Sequence, residues 1–127
     1  MNQLINCSKV IVKKTTHKGV GAFAKQNIKK GDIVELGLMR RVETDGNKNP
    51  YLFTWSENRE VWAYASGCAT FYNTSLSPNV KMNRYFKKDS FTIIALQDIK
   101  EGDELTHKYK SLEWRTCFKD LNDNLIR

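Results

Sequence analysis

Three short segments of the sequence combine residue types that could hold a small ligand and act on it. The first is the Lys-Gly-Val-Gly run at residues 18–21, where two glycines would let a ligand lie close against the backbone. The second, residues 71–79, is polar and contains Pro78, which predicts a loop. The third, residues 102–109, ends in Tyr109. A lone glycine pair is more often a tight turn than a site, so the three segments must be considered together.

In this order and spacing, the three segments resemble the motifs of the SET domain of protein-lysine methyltransferases. The first is similar to the G-x-G-x-F-A element of that family, and the third to its G-E/D-E-L-T-x-x-Y motif. The second is similar to its N-H-S-x-x-P-N motif, which corresponds here to Asn73, Thr74, Ser75, Pro78 and Asn79. The resemblance covers residues 8–115, and the compact length without cysteine-rich flanks looks most like the minimal SET proteins encoded by viruses.

The resemblance implies a mostly β fold of the SET type, a β-clip of several small sheets with little helix. The C-terminal segment would thread beneath the second motif as a pseudoknot, a rare exception to the rule against knotted chains. A single SET domain would span residues 1–127, with residues 116–127 as a C-terminal tail or helix. The implied cofactor is S-adenosyl-L-methionine, and the implied product is S-adenosyl-L-homocysteine.

The resemblance also implies a role for individual residues. Tyr109 would lie beside the reacting methyl group as the catalytic residue, and Trp114 would stack on the adenine. The remaining cofactor-binding residues would be Lys18, Gly19, Val20, Gly21, Asn73 and Thr74. The substrate channel would be lined by Tyr51, Phe53 and Tyr72.

Methyl transfer from a sulfonium to an amine explains why such residue types are useful. The reaction needs nitrogen, methyl carbon and sulfur in line, so positioning supplies much of the rate. Aromatic walls favour cationic sulfur and methylammonium groups through cation–π attraction. A narrow channel and a neighbouring sulfonium both lower the pKa of the substrate lysine, so no dedicated general base is required. His107 would share the strand face of Tyr109 and is a weak candidate for that role.

Three residues depart from the family pattern. Thr74 replaces the usual histidine of the second motif, Lys108 replaces the acidic residue before the motif tyrosine, and Glu113 replaces a tyrosine that some members carry. These changes affect the expected rate and product more than the reaction class. Simpler roles are also open, since Tyr109 could be an edge-strand residue and Trp114 a core residue of a terminal helix.

Short strands dominate the predicted elements that would position these residues. Apolar and β-branched runs predict strands at residues 9–13, 19–24, 33–36, 51–55, 60–64 and 91–96. The aromatic runs 51–55 and 60–64 predict a hairpin, and 91–96 predicts a central, buried strand. The one helical candidate of note is residues 111–122.

An internal echo links two parts of the chain. Residues 27–35 read NIKKGDIVE and residues 98–106 read DIKEGDELT. In each copy an isoleucine would pack inwards, and a glycine at positive φ would direct the chain into the next strand. Two such corners predict a β fold made of several small sheets, and two copies do not make a repeat protein.

Composition narrows the class of protein. The 127 residues suit one domain. We expect no signal peptide and no membrane association. The expected location is therefore intracellular, in the host cytoplasm or nucleus. The three cysteines, Cys7, Cys68 and Cys117, lack any C-x-x-C pair and cannot form a four-cysteine zinc cage. We therefore expect reduced, buried or incidental thiols and no metal. His17 is expected in a solvated turn.

Charge bears on the partners. The chain has 21 Lys and Arg against 14 Asp and Glu, a formal net charge of +7. The expected partner is a lysine-bearing host protein, either a histone tail or a non-histone protein, and a homodimer is plausible. Two other hypotheses stay open: a non-catalytic SET-like binding module, and a small basic β-barrel that binds nucleic acid. We disfavour nucleic acid because the basic residues are scattered and no RNP-type motif occurs.

Overall fold

The computed structural model describes residues 3–16, 19–58 and 60–108. Within these residues the protein is built from strands and three short 3-10 turns, as the mostly β prediction requires. The strands are β1 (Val10–Lys14), β2 (Val20–Ala24), β3 (Ile33–Val42), β4 (Leu52–Thr54), β5 (Trp62–Ala65), β6 (Asn73–Thr74), β7 (Val80–Tyr85), β8 (Ser90–Ala95) and β9 (Glu104–His107). The 3-10 turns are Gly46–Lys48, Ala69–Phe71 and Phe86–Lys88.

The strands form two small sheets. One has the order β1-β2-β9-β6 and the other the order β4-β5-β3-β8-β7. Neighbouring strands are antiparallel except β6 and β9, which run parallel. The prediction of several small sheets is therefore confirmed. The predicted pseudoknot and terminal helix fall on residues 109–127, which lie outside the described residues.

Most predicted strands occur, with some changes of length. The hairpin of β4 and β5 is confirmed, with Phe53 opposite Ala63. Strand β3 continues past the predicted end at Leu36, because its polar second half, including Arg40 and Arg41, pairs with β5. Strand β7 was not predicted, because polar residues separate its buried Val80 and Met82. Partner strands, more than local sequence, decide the extent of these elements.

Strand β8 is central in its sheet, as predicted, but it is not buried on both faces. It lies between β3 and β7, so it is an interior strand. Its burial alternates, however: Phe91, Ile93 and Ala95 are buried, whereas the residues between them are only half-buried. The continuous apolar run therefore reflects one core face and one partly covered face, not a strand buried on both sides.

The internal echo corresponds to two corners that pair with each other. Ile28 and Ile99 are both buried and exchange two backbone hydrogen bonds of 2.8 Å. Gly31 and Gly102 have φ values of 88° and 91°, which confirms the predicted positive φ. Equivalent residues of the two corners are 71 positions apart (102 − 31), and each hydrogen bond between the corners occurs twice with donor and acceptor exchanged. The two corners are therefore related by a local pseudo-two-fold axis.

Side chains complete this pairing reciprocally. The Lys30 backbone N–H donates to Asp98 Oδ1, and the Glu101 backbone N–H donates to Asn27 Oδ1, both at 2.9 Å. Asn27 and Asp98 are themselves equivalent across the echo. Each corner therefore satisfies a backbone donor of the other one.

The core lies between the sheets and the turns that cover them. Trp55 is 1% exposed; its ring meets Phe86 edge-on at 5.1 Å, and its Nε1–H donates to Asp89 Oδ1. The same Asp89 oxygen accepts from Arg41 Nε at 2.9 Å.

No helix among residues 3–16, 19–58 and 60–108 is both long enough and apolar enough to cross a membrane.

The reciprocal corners predict matched losses of stability. Replacing Asn27 or Asp98 by alanine should each lower the free energy of unfolding by about 0.5–1.5 kcal/mol, because each change leaves one backbone donor without its side-chain acceptor. Urea denaturation would measure both. Gln26→Ala and Gln97→Ala are matched controls, since these exposed glutamines occupy equivalent positions one residue earlier and should cost less. A loss at one corner without a loss at the other would contradict the reciprocity.

Candidate functional site

The three motifs meet at the side chain of Asn73. Its amide Nδ2 donates to Glu104 Oε2 at 2.8 Å and to the Val20 carbonyl oxygen at 3.3 Å. Val20 belongs to the first motif, Asn73 to the second and Glu104 to the third. We call the group Val20, Gly21, Asn73 and Glu104 the cradle. Asn73 and Glu104 are both half-buried.

Gly21 leaves the space in which these side chains come together. A Cβ atom placed on Gly21 would lie 2.9 Å from Thr15 Cγ2 and 3.0 Å from both Asn73 Nδ2 and Glu104 Oε2. Any side chain here would therefore push the two polar groups aside. Gly19 differs: it has φ 73° in the turn before β2, and a Cβ there would meet nothing within 4 Å among the described residues. Its cofactor-binding role stays a prediction.

Strand β9 positions the cradle because it pairs with both other motif strands. Phe23 of β2 lies opposite Glu104, and Asn73 of β6 lies opposite Thr106. Asn79, which closes the second motif, fastens this arrangement: its Nδ2 donates to the Glu104 carbonyl oxygen, and its Oδ1 accepts from the Thr106 N–H. The sequence signal for Asn79 was its place in the motif, whereas its role as a clamp could not be predicted.

The structure describes only some of the predicted site residues. Lys18, Tyr109 and Trp114 lie outside the described residues, so their roles stay predictions. Thr74, the substitute for the family histidine, is 6% exposed and pairs with His107 in the parallel register of β6 and β9.

The predicted channel residues lie at different depths. Tyr51 is 59% exposed before β4, and Phe53 packs against the core cluster that contains Tyr72. Tyr72 is 1% exposed, and its hydroxyl donates to Glu35 Oε1 at 2.8 Å. The hydroxyl of Tyr72 is therefore engaged within the core. A channel lined by these three residues stays a prediction.

Glu35 is a buried acid that the sequence analysis did not single out. Its side chain is fully buried, and burial raises the pKa of its carboxyl despite hydrogen bonds from the Cys68 N–H and the Tyr72 hydroxyl. Burial, followed by the charge of Glu35, raises the pKa of Tyr72. Tyr72 therefore acts as a neutral hydrogen-bond donor, not as a base.

His107 lies under the site and is buried as well. Burial, with a smaller contribution from the charge of Arg84, lowers the pKa of His107 to about 3. Burial also lowers the pKa of Arg84 to about 10, and its Nε has no hydrogen-bond partner among the described residues. At neutral pH His107 is a neutral core residue, and its low basicity makes it a poor general base.

An acidic cleft lies beside the hairpin of β4 and β5. The cleft has a volume of about 450 Å³. Its lining residues are Val42, Glu43, Thr44, Asp45, Asn47, Glu60 and Trp62. Three carboxylates in one cleft contrast with the formal net charge of +7 on the whole chain.

The cradle suits one end of the implied cofactor, the α-ammonium group of its methionine part. An ammonium ion offers three donors and a positive charge, and the cradle offers the Val20 carbonyl, the Asn73 amide oxygen and the Glu104 carboxylate. The missing side chain at Gly21 lets Asn73 Nδ2 and Glu104 Oε2 lie together against the backbone. On these donor and acceptor types, the residues fit the group.

Comparison with known proteins decides the family. The sequence model of the SET domain matches residues 19–110, which include all three motifs. The chain belongs to the SET domain family. The SET-domain chain is 36% identical over 106 residues to the H3 lysine-4-specific histone-lysine N-methyltransferase of Schizosaccharomyces pombe, and 26% identical over 117 residues to a variant-silencing SET domain-containing protein of Plasmodium falciparum.

These matches cover most of this SET domain but little of the relatives. The alignments span 72% and 77% of the chain, but only 12% and 5% of the S. pombe and P. falciparum proteins. The relatives' names thus describe much longer proteins.

Solved structures agree on the fold. The SET domain superposes on a P. falciparum protein described as a candidate histone methyltransferase, with a TM-score of 0.66, 25% identity, and coverage of 84% of this chain and 96% of that one. A Polycomb Repressive Complex 2 structure from Chaetomium thermophilum, bound to S-adenosylmethionine, gives a TM-score of 0.69 at 22% identity over 94% of this chain and 17% of that one. The SET-type β fold is therefore confirmed.

The buried imidazole predicts a pH dependence of stability. The unfolded chain binds a proton on His107 near pH 6.5, whereas the folded protein does so only near pH 3. Between these values the unfolded state binds more protons, so stability rises with pH, by up to about 1.4 kcal/mol per pH unit. Denaturation at several pH values should show this slope decrease in His107→Gln. His17→Gln, which changes the other histidine, should keep it; equal slopes in wild type and His107→Gln would contradict the assignment.

Proposed function

We propose that this SET domain is an S-adenosylmethionine-dependent protein-lysine N-methyltransferase. The observation that carries the proposal is the convergence of three distant motifs on one polar group. Asn73 donates hydrogen bonds to both the Val20 carbonyl and the Glu104 carboxylate, next to Gly21. The named S. pombe relative is a histone-lysine N-methyltransferase, which supports the same reaction class.

The cradle would hold the methionine end of the cofactor. The Val20 carbonyl and the Glu104 carboxylate would accept hydrogen bonds from its ammonium group, with Asn73 orienting both. The cofactor would supply an electrophilic methyl group on a sulfonium. Glu104 lies within the third motif, but the sequence analysis assigned it no role.

The chain's other residues would position the amine. Tyr109 would orient the reacting groups through its hydroxyl, and Tyr51 with Phe53 would supply aromatic walls that disfavour a charged ammonium by desolvation. His107 supports a mechanism without a dedicated base, because it is buried and its pKa is lowered to about 3. Alignment, not proton abstraction by a side chain, would then supply most of the rate.

The substrate would be a basic protein segment. A chain of net charge +7 repels such a segment at long range, but the acidic cleft beside the hairpin offers Glu43, Asp45 and Glu60. Local charge complementarity favours the correct partner and its orientation. Histone tails and lysine-rich non-histone host proteins both have this chemistry, and a viral gene expressed in a host cell remains part of the proposal.

A non-catalytic SET-like module is the second candidate. Thr74, Lys108 and Glu113 favour it, because each replaces a residue that the family pattern places around the reaction centre. Such a module could retain the cradle and lose the chemistry. The basic β-barrel is disfavoured, because the described strands form two open sheets of the SET fold.

Transfer of a labelled methyl group tests the activity. Incubation with methyl-labelled cofactor and host extract should label lysine in at least one protein, and mass spectrometry would identify the modified residue. Tyr109→Phe should lower the rate about 100-fold, as small misplacements of reacting groups do. Tyr85→Phe, which changes an exposed tyrosine of β7, should leave it unchanged. Cofactor binding without any label transfer would favour the non-catalytic module.

Cofactor affinity tests the cradle by itself. Asn73→Ala should weaken binding by at least about tenfold in isothermal calorimetry, because it removes the amide that orients Glu104 and the Val20 carbonyl; a tenfold loss corresponds to about 1.4 kcal/mol. Asn83→Ala removes another half-buried asparagine, on β7 and outside the cradle, and should bind as wild type does. Equal affinities for wild type and Asn73→Ala would place the cofactor elsewhere.

A further inference from the structure

A cluster of two thiols and a carboxylate lies outside the cradle. Its members are Cys7, Glu35 and Cys68, and one ligand atom from each, the two Sγ atoms and a carboxylate oxygen, lies within 4.8 Å of the other two. The two cysteines are half-buried, whereas Glu35 is fully buried. The carboxylate therefore forms the floor of the cluster, and the thiols lie between it and the surface.

Three separate parts of the chain build this cluster. Cys7 is held by the preceding residue, since Asn6 and Leu36 exchange two backbone hydrogen bonds of 2.9 Å beside Glu35 on β3. Cys68 precedes the 3-10 turn that leads towards the second motif. The fold thus brings together residues 61 positions apart (68 − 7) without any local sequence pattern.

Gly67 makes the close approach possible. It has φ 64°, and a Cβ there would collide with Glu35 Oε2 at 2.4 Å and lie 3.6 Å from Cys7 Sγ. The backbone therefore passes directly over the carboxylate and one thiol. A side chain at this position would occupy the space between the potential ligands.

The carboxylate is oriented by groups behind it. The Cys68 N–H donates to Glu35 Oε2 at 2.9 Å, and the Tyr72 hydroxyl donates to Oε1 at 2.8 Å. Glu35 forms no ion pair within residues 3–16, 19–58 and 60–108. Hydrogen bonds of this kind orient metal-ligating carboxylates, and an unpaired buried carboxylate gains from a nearby cation.

We propose that Cys7, Glu35 and Cys68 bind a thiophilic divalent cation of the zinc type, with one coordination position left for water. Thiolate and carboxylate are both zinc ligands, and bonds of 2.0–2.3 Å in a tetrahedral site separate ligand atoms by about 3.5–3.8 Å. Separations of no more than 4.8 Å reach this range with small side-chain movements. The site replaces the earlier expectation of incidental thiols and no metal.

The Cys68 thiol is unsuited to nucleophilic chemistry without a cation. Burial, a hydrogen bond with Cys7 and the charge of Glu35 raise the pKa of the Cys68 thiol to about 12. A protonated thiol is a weak nucleophile, so a reactive or catalytic role for Cys68 is disfavoured. A bound cation reverses this preference, because its charge stabilises the thiolate and offsets that of the carboxylate.

The site would join the N-terminal segment to the second motif. The ligands come from residue 7, from β3 and from the turn before β6, and Tyr72, which donates to Glu35, is the neighbour of Asn73 in the cradle. The cation would hold in place the loop that carries Asn73. The inference is independent of the proposed methyl transfer.

Cobalt provides the direct test, because Co²⁺ reports its ligands by colour. The metal-free, reduced full chain is titrated with Co²⁺, and we expect one equivalent to give thiolate-to-cobalt charge transfer and tetrahedral bands. One equivalent of Zn²⁺ should abolish these bands and raise the unfolding temperature. A spectrum of octahedral cobalt only, or no saturation at one equivalent, would overturn the proposal.

Variants distinguish this site from binding elsewhere. Cys7→Ser and Cys68→Ser should each remove the charge-transfer band and the zinc-dependent stabilisation. Tyr72→Phe keeps all three ligands and should weaken zinc binding about 10- to 100-fold, as the loss of an outer partner does. Cys117→Ser keeps both thiols and should bind as wild type. Unchanged binding in Cys7→Ser, or its loss in Cys117→Ser alone, would place the cation outside the cluster.

Discussion

The pairing of β9 with two other strands is the constraint on which the candidate site depends. β9 runs antiparallel to β2 and parallel to β6, so it holds the first and second motifs on its two sides, where Asn73 reaches the Val20 carbonyl. The parallel pair is just two residues long, too short to be stable alone. Asn79 compensates by bonding to the backbone of β9 at Glu104 and Thr106. A short strand and one amide thus define the geometry at Asn73.

The sequence predicted the parts of the fold that are encoded locally. Positive φ at Gly31 and Gly102 followed from turn chemistry, and the β4–β5 hairpin followed from paired aromatic runs. The second half of β3 could not be predicted, because partner strands stabilise a polar stretch there. In the candidate site, the resemblance to the SET family implied cofactor-binding roles for Gly21 and Asn73, but the hydrogen bond from Asn73 to Glu104 depends on tertiary pairing.

Buried titratable groups surround the second motif on its core side. Removing them from water costs free energy on folding. Glu35 is stabilised by two hydrogen bonds, and His107 is kept neutral. Arg84 is buried enough that its pKa is lowered to about 10. Such groups offer little stability in themselves, but they admit few alternative packings. These groups would therefore make the loop that carries Asn73 rigid.

The pseudo-two-fold corners connect the cradle to the thiol–carboxylate cluster. One corner ends at Gly31 and leads into β3, which carries Glu35; the other ends at Gly102 and leads into β9, which carries Glu104. Because Ile28 and Ile99 bind the corners to each other, the starting points of both strands are set by one contact. A shift there would move both glutamates together. The two sites are therefore chemically separate but share a geometric origin, so substitutions at the corners should be compared by their effect on both.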